Sequence, residues 1–280
     1  MTRARTRWRT LRFGLQTVLG LRQRGWFVPS RFAAAPPTEP YGATAIEALF
    51  AAERDAFRAR LRDLDAYRDN FSAFEADNPP EPRWGQDWFP RLDGAMAYAM
   101  TLEHRPARIV EVGAGHSTRF FARAVRDGGL DTEIVAIDPA PRATLPESVR
   151  RIPQSVQQAG REPFSRLAAG DILSIDSGHV LMPGSDVDFL LNAVLPTLPS
   201  GALAHVHDFF MPDGYPASWD WRGYNEQYAV APLLLQGGWR ALFASRYVAT
   251  RMAEDVAGSA VGPVPMPAGA LESSLWLQRL

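Results

Sequence analysis

The sequence predicts a doubly wound α/β fold: a mostly parallel sheet with helices on both faces, an antiparallel hairpin at one edge, and a helical layer on its N-terminal side. Three observations carry this. From Arg108 onward, short apolar runs ending in Gly, Asp or His alternate with helical patterns, which implies right-handed crossovers between parallel strands. The last two strand-like runs have no long helix between them, so they are expected to pair antiparallel. The residues between the basic start and Arg108 show helical periodicity only.

Residues 1–40 read as a basic arm. Arg3, Arg5, Arg7, Arg9, Arg12, Arg22, Arg24 and Arg31 precede the first acid, Glu39, whereas the rest of the chain sets 22 Arg against 31 acids. An acid-free, Arg-rich start suits a solvated arm, a peripheral membrane contact or a targeting segment. The apolar run from Leu11 to Leu21 is broken by Arg12 and Gln16 and is far short of the roughly 20 apolar residues a membrane span requires. Ala33-Ala34-Ala35 could mimic a signal-peptidase site, but the apolar core before it is poor. Pro36-Pro37 and Glu39-Pro40 end the arm.

Residues 41–100 read as a helical cap layer. Ile46, Leu49, Phe50, Phe57, Leu61 and Leu64 make an apolar stripe through a helical stretch from Ala43 to Phe74, and Asn78-Pro79-Pro80-Glu81-Pro82 ends it. A second helix is expected over Leu92–Glu103. Residues 101–280 then form the sheet domain. Strands are expected at Arg108–Val112, Ile134–Asp138, a short one near Ile152, Asp171–Asp176 and Ala202–His207. The edge pair is expected at Arg240–Val248 and Ser274–Gln278. Helices are expected at Ser117–Arg126, Asp186–Leu198 and Asn225–Leu235.

Composition narrows the chemistry. At 280 residues, 46% hydrophobic and with a net charge of −1, the chain is long enough to bury a core without staples. It has no cysteine and no lysine, and all 30 basic residues are arginine. Thiolate nucleophiles, Cys-based metal sites, Schiff bases and a lysine base are thereby excluded. Near-neutral charge gives no pull toward nucleic acid. The cytoplasm is the expected compartment, with membrane-peripheral placement if the arm serves as a contact.

In such sheets ligands bind beyond the carboxyl ends of the strands. Four ends are loaded here. Glu111-Val112-Gly113-Ala114-Gly115-His116-Ser117-Thr118 is a glycine turn opening a helix, where backbone N–H groups can meet a ligand. Thr118 stands where a dinucleotide fingerprint has its third glycine, which weakens a pyrophosphate reading. Asp138 ends its strand 25 residues after Gly113 and can accept both hydroxyls of a ribose, or else cap the following turn. Asp176-Ser177-Gly178-His179 and His207-Asp208 each bring an acid and an imidazole to a strand end, and a buried carboxylate there needs a partner. His205 reads as a hydrogen-bonded core histidine, Asp93 and Tyr98 as structural, and His104 and His116 carry the weaker case. Phe209 to Tyr228, with Phe210, Tyr215, Trp219, Trp221 and Tyr224, reads as a lid or substrate wall, or a packed surface loop. Asn225 is expected to cap the next helix, leaving Arg222 to meet an anion.

These residues resemble class I S-adenosylmethionine-dependent methyltransferases, through Glu-x-Gly-x-Gly and the acids that end the second and fourth strands. More narrowly, Glu111–Phe120, Gly170–Asp188, His205–Trp219 and Arg222–Gln227, with Trp84–Asp93 and Gly25–Phe32, resemble a family of bacterial methyltransferases. Ser174 departs from its pattern, which has Phe there. The resemblance implies a Rossmann-like domain in which Glu111, Gly113, Gly115 and Ser117 surround the methionine part of the cofactor and Asp138 holds the ribose. Asp176 would lie beside the cofactor, with Gln154 or Gln157 toward the adenine. It also implies methyl transfer to an oxygen or nitrogen of a small-molecule or glycan-like acceptor. With Lys and Cys absent, the expected bases are His179, His207, Asp176 and Asp208, histidine being favoured because its ordinary pKa is near neutral. A divalent metal at Asp176, Asp208 and His207 is an alternative, disfavoured because the lysine that metal-assisted relatives employ is absent. The rival readings are a non-catalytic cofactor- or membrane-surface-binding module and a nicotinamide oxidoreductase. The strand-end acid–imidazole pairs argue against the first and Thr118 against the second.

Overall fold

The computed structural model describes residues 3–26, 31 and 39–280. Among these, seven strands form one sheet: β1 (Arg108–Val112), β2 (Glu133–Ile137), β3 (Arg150–Ile152), β4 (Ile172–Ile175), β5 (Leu203–Val206), β6 (Trp239–Ala244) and β7 (Leu275–Arg279). Their order is β3-β2-β1-β4-β5-β7-β6. β1 to β5 are parallel, and β7 runs antiparallel to both β5 and β6. The expected doubly wound sheet with an antiparallel edge is therefore present. Its inner strands are Val/Ile/Leu-rich because helices cover both faces: Ile109, Val110, Ile134, Val135, Ile172, Leu173, Leu203 and Val206 are all buried.

The apolar stripe read in the first helical stretch is buried as expected, at Ile46, Phe50, Phe57, Leu61 and Leu64. The stretch is segmented, however, into helices Ala43–Ala52 and Arg54–Asp63, a 3₁₀ turn over Leu64–Tyr67 and a short helix Arg68–Ser72. The bends wrap the stripe around one aromatic cluster in which Phe71 and Phe74 meet Trp84 and Tyr98 edge-on or tilted, with centroids 5.4–5.8 Å apart. Helix Arg91–His104 follows the expected bounds and leads into β1.

Two expectations are corrected. The run read as a strand through Val248 leaves the sheet after Ala244 and forms a helix, Ser245–Arg251. In that helix Tyr247 packs against Phe50 and Phe57, with ring centroids 5.4 and 6.2 Å apart. The helix expected over Asp186–Leu198 is α-helical only to Phe189, then widens to a π turn and ends in a 3₁₀ turn containing Pro196, which has no N–H to continue the ladder.

Residues Met1–Thr38 and Glu39–Leu280 form two separate units. In the first, Arg3–Val18 is helical. Ala33-Ala34-Ala35, Pro36-Pro37 and most of the Gly25–Phe32 match lie outside the described residues. No described helix is long and apolar enough to cross a membrane.

Candidate active site

Register builds the site. Val112 pairs with Ile137 and with Ile175, and Ile175 with Val206. The residues that follow, Gly113, Asp138, Asp176 and His207, therefore reach one rim together. The ladder continues through them: Gly113 N–H donates to Ile137 O, Asp176 N–H to Val112 O and His207 N–H to Ile175 O, at 2.9–3.1 Å. Strand order reverses between β1 and β4, so the rim lies over the crevice where such sheets bind ligands.

The turn after β1 can be built only with glycine at one position. Gly113 has φ of 85°, and a Cβ there would lie 1.7 Å from the carbonyl oxygen of Asp176. At Gly115 a Cβ would meet nothing within 4 Å, which leaves that side of the turn open. Thr118, standing where a third glycine would fall, braces the turn from its side chain. Its hydroxyl accepts from Gly115 N–H at 2.9 Å and donates to Glu111. Ser117 Oγ donates to the other oxygen of Glu111 at 2.6 Å. Glu111 is wholly buried, and burial pushes its carboxyl up to about 8, against the pull of those two hydroxyls.

Asp138 ties the turn to its own loop, accepting from Ala114 N–H at 2.8 Å and Ala140 N–H at 2.7 Å. Each oxygen keeps a second lone pair, and the side chain is half-buried at the rim. The cap and ribose readings are thus compatible. Gln154 is exposed just past β3, and Gln157 donates to Gly184 O at 3.2 Å.

Beyond β4 and β5 the four expected catalytic side chains meet. His179 Nε2 lies 3.2 Å from Asp176 and 3.4 Å from Asp208, and its Nδ1 lies 2.8 Å from Glu226. His207 Nδ1 lies 3.5 Å from Asp176 and 3.6 Å from Asp208, with its Nε2 3.4 Å from Asp93. Both imidazoles are buried, which by itself disfavours the charged form, yet the surrounding carboxylates win and hold both pKa values well above the ordinary histidine value. Asp176 is held well below the usual carboxylate range by the two imidazoliums, and Asp93 is lowered by His207. Histidine therefore loses the near-neutral pKa that favoured it as the base. No group of three or more His, Asp or Glu among the described residues is arranged to hold a metal ion.

Residues 110–209, which span these strand ends, match the family model for a methyltransferase domain. These residues form a methyltransferase domain. Solved structures that align with it include SAH-bound PaMTH1 of Podospora anserina, at 15% identity over 91% of this chain and 99% of that one, with a TM-score of 0.43. Another is the O-methyltransferase TomG of Streptomyces achromogenes, involved in tomaymycin synthesis and solved with SAM, at 14% identity over 79% of this chain and 98% of that one, with a TM-score of 0.44. No curated protein matches the chain.

The rim of this domain has features that suit such a cofactor. Ser177 Oγ, immediately after Asp176, is buried with no hydrogen-bond partner, as a group awaiting a ligand would be. The helix His116–Asp127 opens beside Gly115 with its first N–H groups free of intrahelical partners, a setting that favours a carboxylate. Asp176 adds a carboxylate to the same rim.

Three parts of the methyltransferase site escaped the sequence. Asp93, read as structural, lies under His207 and accepts from the N–H groups of Ser273 and Ser274 at 2.9–3.2 Å. A lone acid within the apolar run from Leu92 to Met100 was its only signal. Glu226 carried no assigned role, although it follows Asn225 in a matched run. Asn225 itself makes no side-chain helix cap; its Oδ1 accepts from Leu181 N–H at 2.6 Å, pinning the loop that carries His179. His205 is the core histidine expected, bridged to Ser174 and Ser274 at 2.9 Å each, which gives the departure at Ser174 a purpose. His116 and His104 stay outside the cluster, and burial lowers His116 to about 4. Tyr98 donates to Asp127 at 2.7 Å, a structural contact.

The aromatic segment joins the site through Tyr224, whose ring centroid is 4.7 Å from that of His179. Tyr224 in turn meets Tyr215 and Trp219 at 5.8 and 6.0 Å. Phe209 and Phe210 are buried, so the segment's root is packed, while Trp221 is 55% exposed. Arg222 stacks 4.1 Å over Trp219 and donates to Tyr224 Oη at 3.1 Å, and its buried Nε has no partner.

Proposed function

We propose that this methyltransferase transfers its methyl group to an oxygen or nitrogen of a small-molecule or glycan-like acceptor held between the β4–β5 rim and the aromatic segment. The observation that supports this most directly is the register that brings Gly113, Asp138, Asp176 and His207 to one rim, with His179 and Tyr224 facing it. When bound, S-adenosylmethionine supplies an electrophilic methyl on a sulfonium. Glu111, Gly113, Gly115 and Ser117 shape the methionine subsite, Asp138 accepts the ribose hydroxyls, and Gln154 borders the adenine. Asp176 faces the positive sulfur, and the start of helix His116–Asp127 receives the methionine carboxylate.

Holding the acceptor in line supplies most of the rate, because aligned displacement can gain up to about 7–11 kcal/mol. The proton lost by a hydroxyl acceptor passes to the carboxylate of Asp208 as the methyl is transferred, because Asp176 is held too far below the usual carboxylate range to take it. His179 and His207 act as cationic donors that orient these carboxylates. Tyr224 and the rings behind it exclude water.

The test is calorimetric. S-Adenosylmethionine should bind and NAD should not, and Asp138→Ala should weaken cofactor binding roughly ten- to a hundredfold, the worth of a hydrogen bond to a charged group. Unchanged affinity in that variant would remove Asp138 from the ribose subsite. Tight NAD binding would return the oxidoreductase reading. Labelled methyl donor with a metabolite pool then identifies the acceptor.

A further inference from the structure

The helix Arg3–Val18 has a bare apolar face. Trp8, Leu11, Leu15 and Val18 recur every three or four residues, which places them on one side, and they are 70%, 53%, 52% and 57% exposed. Leu19 and Leu21, just past the helix end, are also exposed. The one aromatic off this stripe is covered. Phe13 has the guanidiniums of Arg12 and Arg24 each 5.3 Å from its ring. The chain after the helix folds back on that same polar side. Leu21 and Arg22 N–H donate to Gln16 O, Arg24 N–H donates to Thr17 Oγ1, and Arg24 Nε donates to Gln16 Oε1. Among the described residues, the returning segment thus leaves the Trp8–Val18 stripe open.

We propose that this helix is a membrane-surface anchor that lays its apolar stripe into a bilayer of anionic lipid. Charge decides the partner: eight arginines and no acid precede Glu39, a composition complementary to phosphate headgroups. Geometry decides the mode. Sixteen residues extend only about 24 Å, and the arginines interrupt the apolar run, so the helix lies in the interface plane and does not cross. Arginine stems can lie along the apolar boundary while their heads reach phosphates, and Trp8 suits the headgroup level.

The test is flotation of the full chain with phosphatidylcholine vesicles and with vesicles in which about a third of the lipid is phosphatidylglycerol. The chain should float with the anionic vesicles and much less with the neutral ones, and raising salt should release it. Leu11→Asp with Leu15→Asp should abolish flotation, and Arg9→Ala with Arg12→Ala should weaken it roughly tenfold or more. Both variants should bind S-adenosylmethionine as wild type does, which shows that the rest of the chain is folded. Two outcomes overturn the proposal. One is a chain that stays with the unbound fraction at low salt. The other is a dimer by light scattering that Leu11→Asp with Leu15→Asp dissociates without any lipid binding, which would make the stripe an interface between copies.

Discussion

Nδ1 of His179 lies 2.8 Å from Oε2 of Glu226, and the other oxygen of that buried carboxyl has no hydrogen-bond partner. Burial raises the pKa of Glu226 while His179 pulls it down, so the pair shares its stabilisation, and the spare oxygen keeps unspent accepting capacity beside the rim. The loop that carries His179 is fastened to the same helix start: Asn225 and Glu226 N–H both donate to His179 O. That contact helps hold His179 at φ of 56°, a left-handed conformation that non-glycine residues seldom adopt.

Glu226→Gln tests this pairing. The amide removes one of the negative charges that keep His179 protonated, so its imidazole pKa should fall. NMR titration of the ring proton reads it directly. Turnover should drop roughly tenfold or more while cofactor affinity holds. An unmoved titration would assign the protonation of His179 to Asp176 and Asp208 alone.

The cluster should give stability a two-sided dependence on pH. His179 and His207 have raised pKa values, so their contribution is complete below the unfolded value of 6.5 and is lost as pH rises through the folded values. Asp93 and Asp176 have lowered values, so theirs is complete above 3.8 and is lost as pH falls through the folded values. Thermal midpoints should therefore decline on both sides of neutrality. In His207→Gln the alkaline decline should be shallower, and an unchanged slope would contradict the assignment.

Glu111 behaves oppositely. Its folded pKa is raised to about 8, so folding opposes its ionisation, and the penalty grows as pH rises from 4.5 to 8. Glu111→Gln should therefore unfold at a higher temperature than wild type at about pH 8.5, by the equivalent of about 2–4 kcal/mol, with the advantage gone at about pH 5. A gap that does not vary with pH would show that the carboxyl ionises freely.

Gly113→Ala should be severe, because the new methyl collides with the Asp176 backbone at a positive φ. The expected destabilisation is about 2–5 kcal/mol, from overpacking plus backbone strain. Cofactor binding should be lost with it, since the turn and the β4 end must separate. Gly115→Ala, where space is open, should fold with a near-native thermal midpoint and report on cofactor access alone. Equal destabilisation of the two would show that the turn tolerates both positions alike.

Much of this was legible along the chain. Parallel strands reveal themselves as apolar runs ending in Gly or Asp, and because such strands align in register, four loaded ends in one sequence foretold one rim. The glycine turn, Asp138, Asp176, His179, His207 and Asp208 could all be named for that reason. Asp93 and Glu226 could not. Each sits in the first turn of its helix, where an acid is ordinary, and neither spacing nor composition tells which strand end that turn will cover.

What the linear order of residues determined was the sheet, the turn and the identity of the acids and imidazoles at its edge, since these follow from local periodicity and from the alternation of strands with helices. Tertiary structure alone decided which way their pKa values move. A pKa depends on what lies within a few ångströms on every side, and here the deciding neighbours, Asp93 below His207 and Glu226 behind His179, come from 114 and 47 residues away in the chain.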